Sequence, residues 1–240
     1  MNKRVILILC FVIGSIEVSQ AQLFNRLRFE QITTRDGLSQ STINDILQDR
    51  RGFLWFATDD GLNRYDGYEF KVFRNDPYSG NTLPSSQIND IMEDWRGNIW
   101  AATNGGGLSK YDRVRGRFTN YRYDPDNENS LSSDFVTSIH ADSRTGTVII
   151  GTNEGLNLLD PENGQIKRFD SEEFKGLRDS KITTLFEDDD RFIWIGTEDA
   201  GLFRFDREDD TFVSYQHDPD NPKSISDNWV TKLYNDKQGQ

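Results

Sequence analysis

His140 and His217 are the only histidines in the chain, and neither has the neighbours that catalysis or zinc binding requires. His140 follows Ile139 at a position that parallel segments fill with Leu47, Met92 and Phe186, which predicts a packed core residue. His217 stands where Tyr123 stands in a related Asp/Pro segment, which predicts a surface place. With one cysteine, Cys10, and no Gly-x-Ser-x-Gly elbow, nucleophilic triads and zinc sites find no support, and neither metal nor cofactor is expected. The adjacent carboxylates Asp59-Asp60 and Glu198-Asp199 have the type for acid–base work. Their counterparts are Asn104-Gly105 and Asn153-Glu154, however, so the position reads as a turn and not as one tuned site. The acidic stretch from Asp124 to Ser130 follows a calcium loop only in part. Asn129 occupies the sixth position, where the sharp turn needs Gly, and Phe135 the twelfth, where the bidentate Glu belongs. A turn pinned by Pro125 and Asx side chains is the better reading. Gly105-Gly106-Gly107 precedes no helix and so is no phosphate cradle.

The elements that must position any site come from internal repetition. Units begin at Leu38, Leu83, Leu131, Leu177 and Ile225, so that successive starts lie 45, 48, 46 and 48 residues apart. Each opens with an Ile/Val run (Ile43–Ile46, Ile88–Ile91, Val136–Ile139, Ile182–Leu185, Val230–Leu233), followed by an acidic turn at Asp49, Asp94, Asp142, Asp188 or Asp236. Four units continue with a run ending in a small residue and Thr. Three of these runs carry a tryptophan (Trp55, Trp100, Trp194) and the third unit has Ile149 instead. A glycine before Leu (Gly61, Gly107, Gly155, Gly201) and a closing acid (Asp66, Asp112, Asp160, Asp206) complete the unit as structural anchors. The runs are short, rich in β-branched and aromatic residues, and bounded by turn formers, which predicts strands throughout. Four short strands per repeat of this length predict an all-β fold, a β-propeller of four-stranded blades. The small residues Ala57, Ala102, Gly151 and Gly196 leave room for close strand approach. Gly61 and its counterparts suit a turn with positive φ.

In a propeller, the connectors before each first strand and the turns between second and third strands share one face around the channel. Here that face carries Asp59, Asp60, Asn104, Asn153, Glu154, Glu198 and Asp199, with Thr42, Gln87, Phe135, Lys181 and Trp229 just before the first strands. The last five differ from unit to unit while their neighbours stay fixed, which is either drift at exposed positions or a place for recognition. Phe135 and Trp229, among amides and carboxylates, have the chemistry to stack on a sugar and hydrogen-bond it.

The ends carry their own signals. Lys3 and Arg4, the apolar run 5–13 and Ser19-Gln20-Ala21 have the layout of a signal peptide cleaved after Ala21, leaving 22–240 as the propeller. The apolar run is too short to span a bilayer. The mature chain has no cysteine and must rely on core packing. A net charge of -12 argues against nucleic acid, which requires a basic face, and disfavours anionic membranes. Arg28 to Thr33 predicts an outer strand supplied to another blade, and 229–234 the first strand of a fifth unit whose second and third strands are missing. Four full blades and a partial one cannot close a ring normally, which favours a truncated piece of a longer protein over an open arc with exposed edges.

Gly37-Leu38-Ser39-Gln40, the segments 46–58 and 60–67, and the connectors 124–127, 130–132 and 218–221 together resemble the two-component regulator propeller repeat. The resemblance recurs in every unit and covers essentially all of 22–240. It implies the periplasmic sensor region of hybrid two-component systems. Such proteins usually carry two propellers, an immunoglobulin-like domain, a membrane span, a histidine kinase and a response regulator, and typically sense glycan fragments. This sequence departs from that plan, for it ends inside the first propeller and shows no span, kinase or receiver. The resemblance therefore implies a binding segment that is not itself an enzyme. Its implied partners are an oligosaccharide and the remaining propeller, membrane and kinase domains of a longer protein. Two other readings stay open. A protein-interaction scaffold would show an apolar rim patch on the channel face, and a propeller enzyme such as a polysaccharide lyase would need a convergent His/Tyr/Lys or metal constellation.

Overall fold

The computed structural model describes residues 30–169 and 174–234. The chain divides into two compact units, Met1–Gln31 and Ile32–Gln240; only Glu30 and Gln31 of the first are described, and the account below concerns the second. The expected signal peptide, residues 1–21, lies outside the described residues. Among the described residues no helix is long and apolar enough to cross a membrane.

Among the described residues, sixteen strands form four antiparallel sheets, each a simple meander of four consecutive strands. The first sheet comprises β1 (Ile43–Gln48), β2 (Leu54–Thr58), β3 (Gly61–Tyr65) and β4 (Phe70–Phe73). The second comprises β5 (Ile88–Glu93), β6 (Ile99–Thr103), β7 (Gly107–Asp112) and β8 (Arg117–Tyr121). The third holds β9 (Val136–Ala141), β10 (Val148–Thr152), β11 (Gly155–Leu159) and β12 (Ile166–Arg168), and the fourth β13 (Ile182–Glu187), β14 (Ile193–Thr197), β15 (Leu202–Asp206) and β16 (Thr211–Tyr215). One helical turn, α1 (Lys175–Arg178), sits in the connector before β13. The first strands β1, β5, β9 and β13 stand next to one another. They form the inner wall, with β4, β8, β12 and β16 outermost. These are four blades of a β-propeller.

No blade owns a core. The three hydrophobic clusters lie in the seams, each built from two consecutive blades. Trp55, Ala57 and Leu62 of the first blade pack with Ile88, Ile91 and Tyr111 of the second, and Trp100 and Leu108 of the second pack with Val136 and Ile150 of the third. Ile149 and Leu156 of the third blade meet Ile182, Ile195 and Phe203 of the fourth. Stacking on both faces explains why the second strands are apolar without alternation: β6 and β10 are buried along their whole length. It also explains the small residue in those strands. A Cβ on Gly151 would lie 2.5 Å from Cγ2 of Ile182 in the next blade.

Gly107 shows why glycine opens each third strand. Its φ is +82°, and a Cβ there would lie 2.2 Å from the carbonyl oxygen of Tyr121 on the outer strand. Strain and clash act together at that turn.

Two expected strands do not form. Glu30 to Thr33 carry no strand; Thr33 instead caps a single 3-10 turn, Thr34–Asp36, through a reciprocal capping box with Asp36. Arg28 and Phe29 lie outside the described residues. Residues 229–234 carry no strand either. Val230 nevertheless docks on the fourth blade, its N–H donating to Thr197 O at 2.9 Å. A strand is defined by its ladder, and among the described residues neither segment has a partner strand.

Candidate functional site at the channel mouth

Each first strand begins with a β-bulge. Pairing slips between Ile43 and Asp45, between Ile88 and Asp90, between Ile182 and Thr184, and on the partner strand between Gly151 and Thr152. The extra residues are Asn44, Asn89, Thr183 and Thr137. A bulge leaves its extra residue outside the ladder and re-aims its side chain. Here three reach across the seam to the next blade and the fourth reaches the segment that follows the fourth blade. Asn44 Nδ2 donates to Ile88 O at 2.8 Å, Asn89 Nδ2 to Val136 O at 2.7 Å, and Thr137 Oγ1 to Ile182 O at 2.6 Å. Thr183 Oγ1 donates likewise to Val230 O. The result is a row of amides and hydroxyls stepping around the channel, each bond worth about 1 kcal/mol to its seam.

Above this row lies a depression of about 630 Å³ lined by Asn44, Asn89, Thr137 and Thr183 together with Asn104, Phe135, Asn153 and Lys181. Phe135 is 48% exposed, and its ring covers the tight turn at Gly105, 3.6 Å from where a Cβ would stand. Backbone bonds tie turn and connector into one rim: Asn104 N–H donates to Gln87 O at 2.9 Å, Asn153 N–H to Phe135 O at 3.1 Å and Glu198 N–H to Lys181 O at 3.0 Å. Among the described residues Lys181 is the one ionisable side chain in the lining, and its Nζ lies 3.4 Å from Glu198 Oε1. Asn153 Oδ1 is buried and takes no hydrogen bond from a described residue.

Of the twelve positions expected on this face, Asn104, Phe135, Asn153 and Lys181 meet in the depression. Three more stand at its edge. Asp59 accepts from Asn44 Nδ2 at 3.0 Å, Gln87 Oε1 from Asn104 Nδ2 at 3.1 Å, and Glu198 pairs with Lys181. The other five point elsewhere. Asp60 is held by both ends of the Arg74 guanidinium, at 3.2 and 3.0 Å. Asp199 accepts from Ser180 Oγ at 2.5 Å. Glu154 lines a separate hollow with Tyr123, Ser132, Arg168, Arg178 and Asp179. Thr42 is exposed beside Gln40, and Trp229, 59% exposed, has its N–H on Asp227. The bulge residues were not among the expected twelve. Their signal was present as a polar residue at the second place of every Ile/Val run, where a buried strand has no use for one.

One residue further in, Asp45 and Asp90 occupy the channel wall. The N–H of Ile91 is shared by the two carboxylates, 3.1 Å from Asp45 Oδ2 and 2.9 Å from Asp90 Oδ1. Asp90 Oδ2 also accepts from Ser138 Oγ at 3.0 Å and Ile139 N–H at 2.9 Å in the third blade. Burial, with the Asp45 carboxylate beside it, pushes the Asp90 carboxyl up to about 7.

The opposite end of the blades is closed chemistry. Trp55 Nε1 donates to Asp49 Oδ2 at 2.7 Å, Trp100 Nε1 to Asp94 at 2.9 Å and Trp194 Nε1 to Asp188 at 2.7 Å. In the third blade, which has Ile149, Asp142 Oδ2 pairs with Arg207 Nη1 of the fourth blade at 2.6 Å. The closing acids cap their own turns, Asp66 Oδ1 accepting from Tyr68 and Glu69 N–H and Asp112 Oδ1 from Val114 and Arg115 N–H. Asp160 and Asp206 do the same for Glu162 and Glu208. His140 corrects the expectation of a packed core residue. It is half-buried, and Nε2 meets Glu187 Oε2 of the next blade at 3.0 Å. His217 is exposed in its connector, with Nδ1 2.9 Å from Ile225 O.

Comparison with known proteins follows the repeat. The family description "two component regulator propeller" matches residues 37–60 and 176–199. Histidine kinase P4 of Formosa agariphila is 32% identical over 235 residues, an overlap of 78% of this chain but 17% of the kinase. The extracellular domain assigned to a hybrid two-component system of B. thetaiotaomicron superposes with a TM-score of 0.54 at 20% identity, over 85% of this chain and 37% of that one. Virginiamycin B lyase of Staphylococcus aureus does so at 0.52 and 17%, over 70% of this chain and 53% of the lyase. At such identities the two structures speak for the fold alone, and the fold serves more than one function. Signature, sequence likeness and blade architecture agree, and the chain belongs to the two-component regulator propeller family.

Proposed function

We propose that this chain is the exported sensing segment of a two-component regulator, and that its channel mouth binds an oligosaccharide without transforming it. The observation that carries this reading is the lining itself. Four bulge side chains, two turn amides, one exposed ring and one ammonium converge on a single depression. Amides and hydroxyls match the donors and acceptors of sugar hydroxyls, and the Phe135 ring offers a face for the apolar side of a pyranose. The kinase relative is mostly sequence beyond this overlap, which supports a partnership with further propeller, membrane and kinase domains of a longer protein. Export by a signal peptide cut after Ala21, with 22–240 as the periplasmic propeller, fits that role. A scaffold would favour an apolar rim, whereas among the described residues Phe135 is the one large apolar side chain lining the depression.

Thermal unfolding of the purified chain across a panel of oligosaccharides tests the proposal. A glycan that binds the folded chain raises Tm by an amount that grows with its concentration. A panel that leaves Tm flat while the chain melts cooperatively overturns it.

A further inference from the structure

Two connectors of this chain share one conformation, bond for bond. In 124–130, Asp124 N–H donates to Ser130 Oγ at 2.8 Å, Ser130 Oγ donates to Asp124 O at 3.0 Å, and Asp126 N–H to Asp124 Oδ1 at 3.0 Å. In 218–224 the same bonds join Asp218, Ser224 and Asp220, at 2.9, 3.0 and 3.0 Å. Ser130 N–H reaches Asn127 O at 3.1 Å, and Ser224 N–H reaches Asn221 O at 3.0 Å. Both loops therefore hold the same carbonyls in the same local geometry.

The first of these loops is filled. Arg168, on the outer strand β12, sends Nε to Ser130 O at 2.7 Å and Nη2 to Asn127 O at 2.9 Å, and Nη2 also meets Ser130 Oγ. Its guanidinium lies 5.5 Å from the centre of the Tyr123 ring. The preceding blade does the same with a smaller group. Asn120 on β8 holds the register position of Arg168, for it pairs with Ser109 as Arg168 pairs with Asn157, and its Nδ2 donates to Thr82 O at 3.0 Å. In the second and third blades an outer-strand donor is thus seated in the loop ahead of its own blade.

We infer that 218–224 is the seat for an arginine carried on the outer strand of a following blade. The rest of that junction is already in place: Thr183 reaches Val230 O, Val230 N–H reaches Thr197 O, and Val230 packs where a Cβ on Gly196 would stand. Among the described residues, no side chain from outside the loop enters it. Charge favours a cation, because Asp218 and Asp220 flank carbonyls that only a donor can satisfy. Arginine fits better than lysine, since the occupied loop is held by Nε and Nη2 of one planar fork.

The test uses the whole chain and a peptide of residues 163–169, which carries Arg168 in its own strand context, with the Arg168→Gln peptide as control. Backbone amide resonances of Asp220, Asn221 and Ser224 are followed by NMR as peptide is added. The expected result is a saturating shift confined to 218–224, with about tenfold or weaker response to the Arg168→Gln peptide. Because 124–130 is filled by its own arginine, Asp126, Asn127 and Ser130 should stay unmoved. Equal shifts with both peptides, or none in 218–224 at about 10 mM peptide, would falsify the assignment.

Discussion

The two ends of the blades handle their polar groups in opposite ways. At the closed end, the turn carboxylates are consumed by the fold. Asp49, 3% exposed, accepts from the N–H groups of Arg51 and Phe53, from the Trp55 indole, and from Arg113 of the next blade. At the channel mouth, the connector position before each first strand differs from blade to blade, as Thr42, Gln87, Phe135 and Lys181, on the same kind of backbone. The closed end therefore behaves as a fixed joint and the mouth as an adjustable surface. The third blade shows what the joint demands. Where Ile149 stands in place of tryptophan, the carboxylate at Asp142 remains and keeps its guanidinium from the next blade, Arg207, as Asp49 keeps Arg113. Between the first and third blades the buried acid and the guanidinium from the next blade are the constants, and the indole is the part that the third blade does without.

The largest effect expected from breaking this contrast is at the joint. Asp49→Ala strands the buried Arg113 guanidinium and the Trp55 N–H, at a cost of about 3–5 kcal/mol. Chemical denaturation should show it as a lower midpoint with an unchanged slope. A loss under about 1 kcal/mol would mean that Glu93, 3.2 Å from Arg113, carries the pair alone.

The channel wall between the ends should respond to pH. Asp90 titrates near 7 when folded, above its unfolded value, so the folded chain binds the extra proton and gains stability at low pH. That gain is full below the unfolded carboxylate range and fades as pH rises through about 7. Between about pH 5 and about pH 8 the loss attributable to this group is about 2–3 kcal/mol. Asp90→Asn keeps an acceptor for Ile139 N–H and removes the titration, so its stability curve should be flatter than wild type across that window. Parallel curves would assign the slope to other groups.

The smallest structural effect is expected at the mouth. Phe135→Ala removes a half-exposed ring and should change unfolding free energy by about 0.5 kcal/mol or less. It should nevertheless abolish most of any glycan-induced rise in Tm. A variant that loses stability but keeps the glycan response would reverse the roles assigned to the two ends.

Much of this was legible in the chain. Repeat length, strand runs, the glycine turns and the Trp and Asp anchors appear as fixed residues at fixed spacing, because each answers a local demand: a positive φ, a capped turn, a strand buried on both faces. The mouth was legible in part, since residues bordering the first strands had to share a face. What stayed hidden was the partner each polar group would find. Nothing local says that Asp60 turns to Arg74, that His140 meets Glu187, or that Glu154 leaves the channel for a hollow near Arg168. The bulge residues were visible as letters but not as a bonded row, because a bulge shows only once the register with the paired strand is set. The failed strands at 30–33 and 229–234 teach the same lesson. Sequence fixes which segments could pair, through side-chain pattern and turn chemistry. Tertiary structure decides which do pair and where the polar groups end up, because hydrogen bonds across a seam depend on two blades at once.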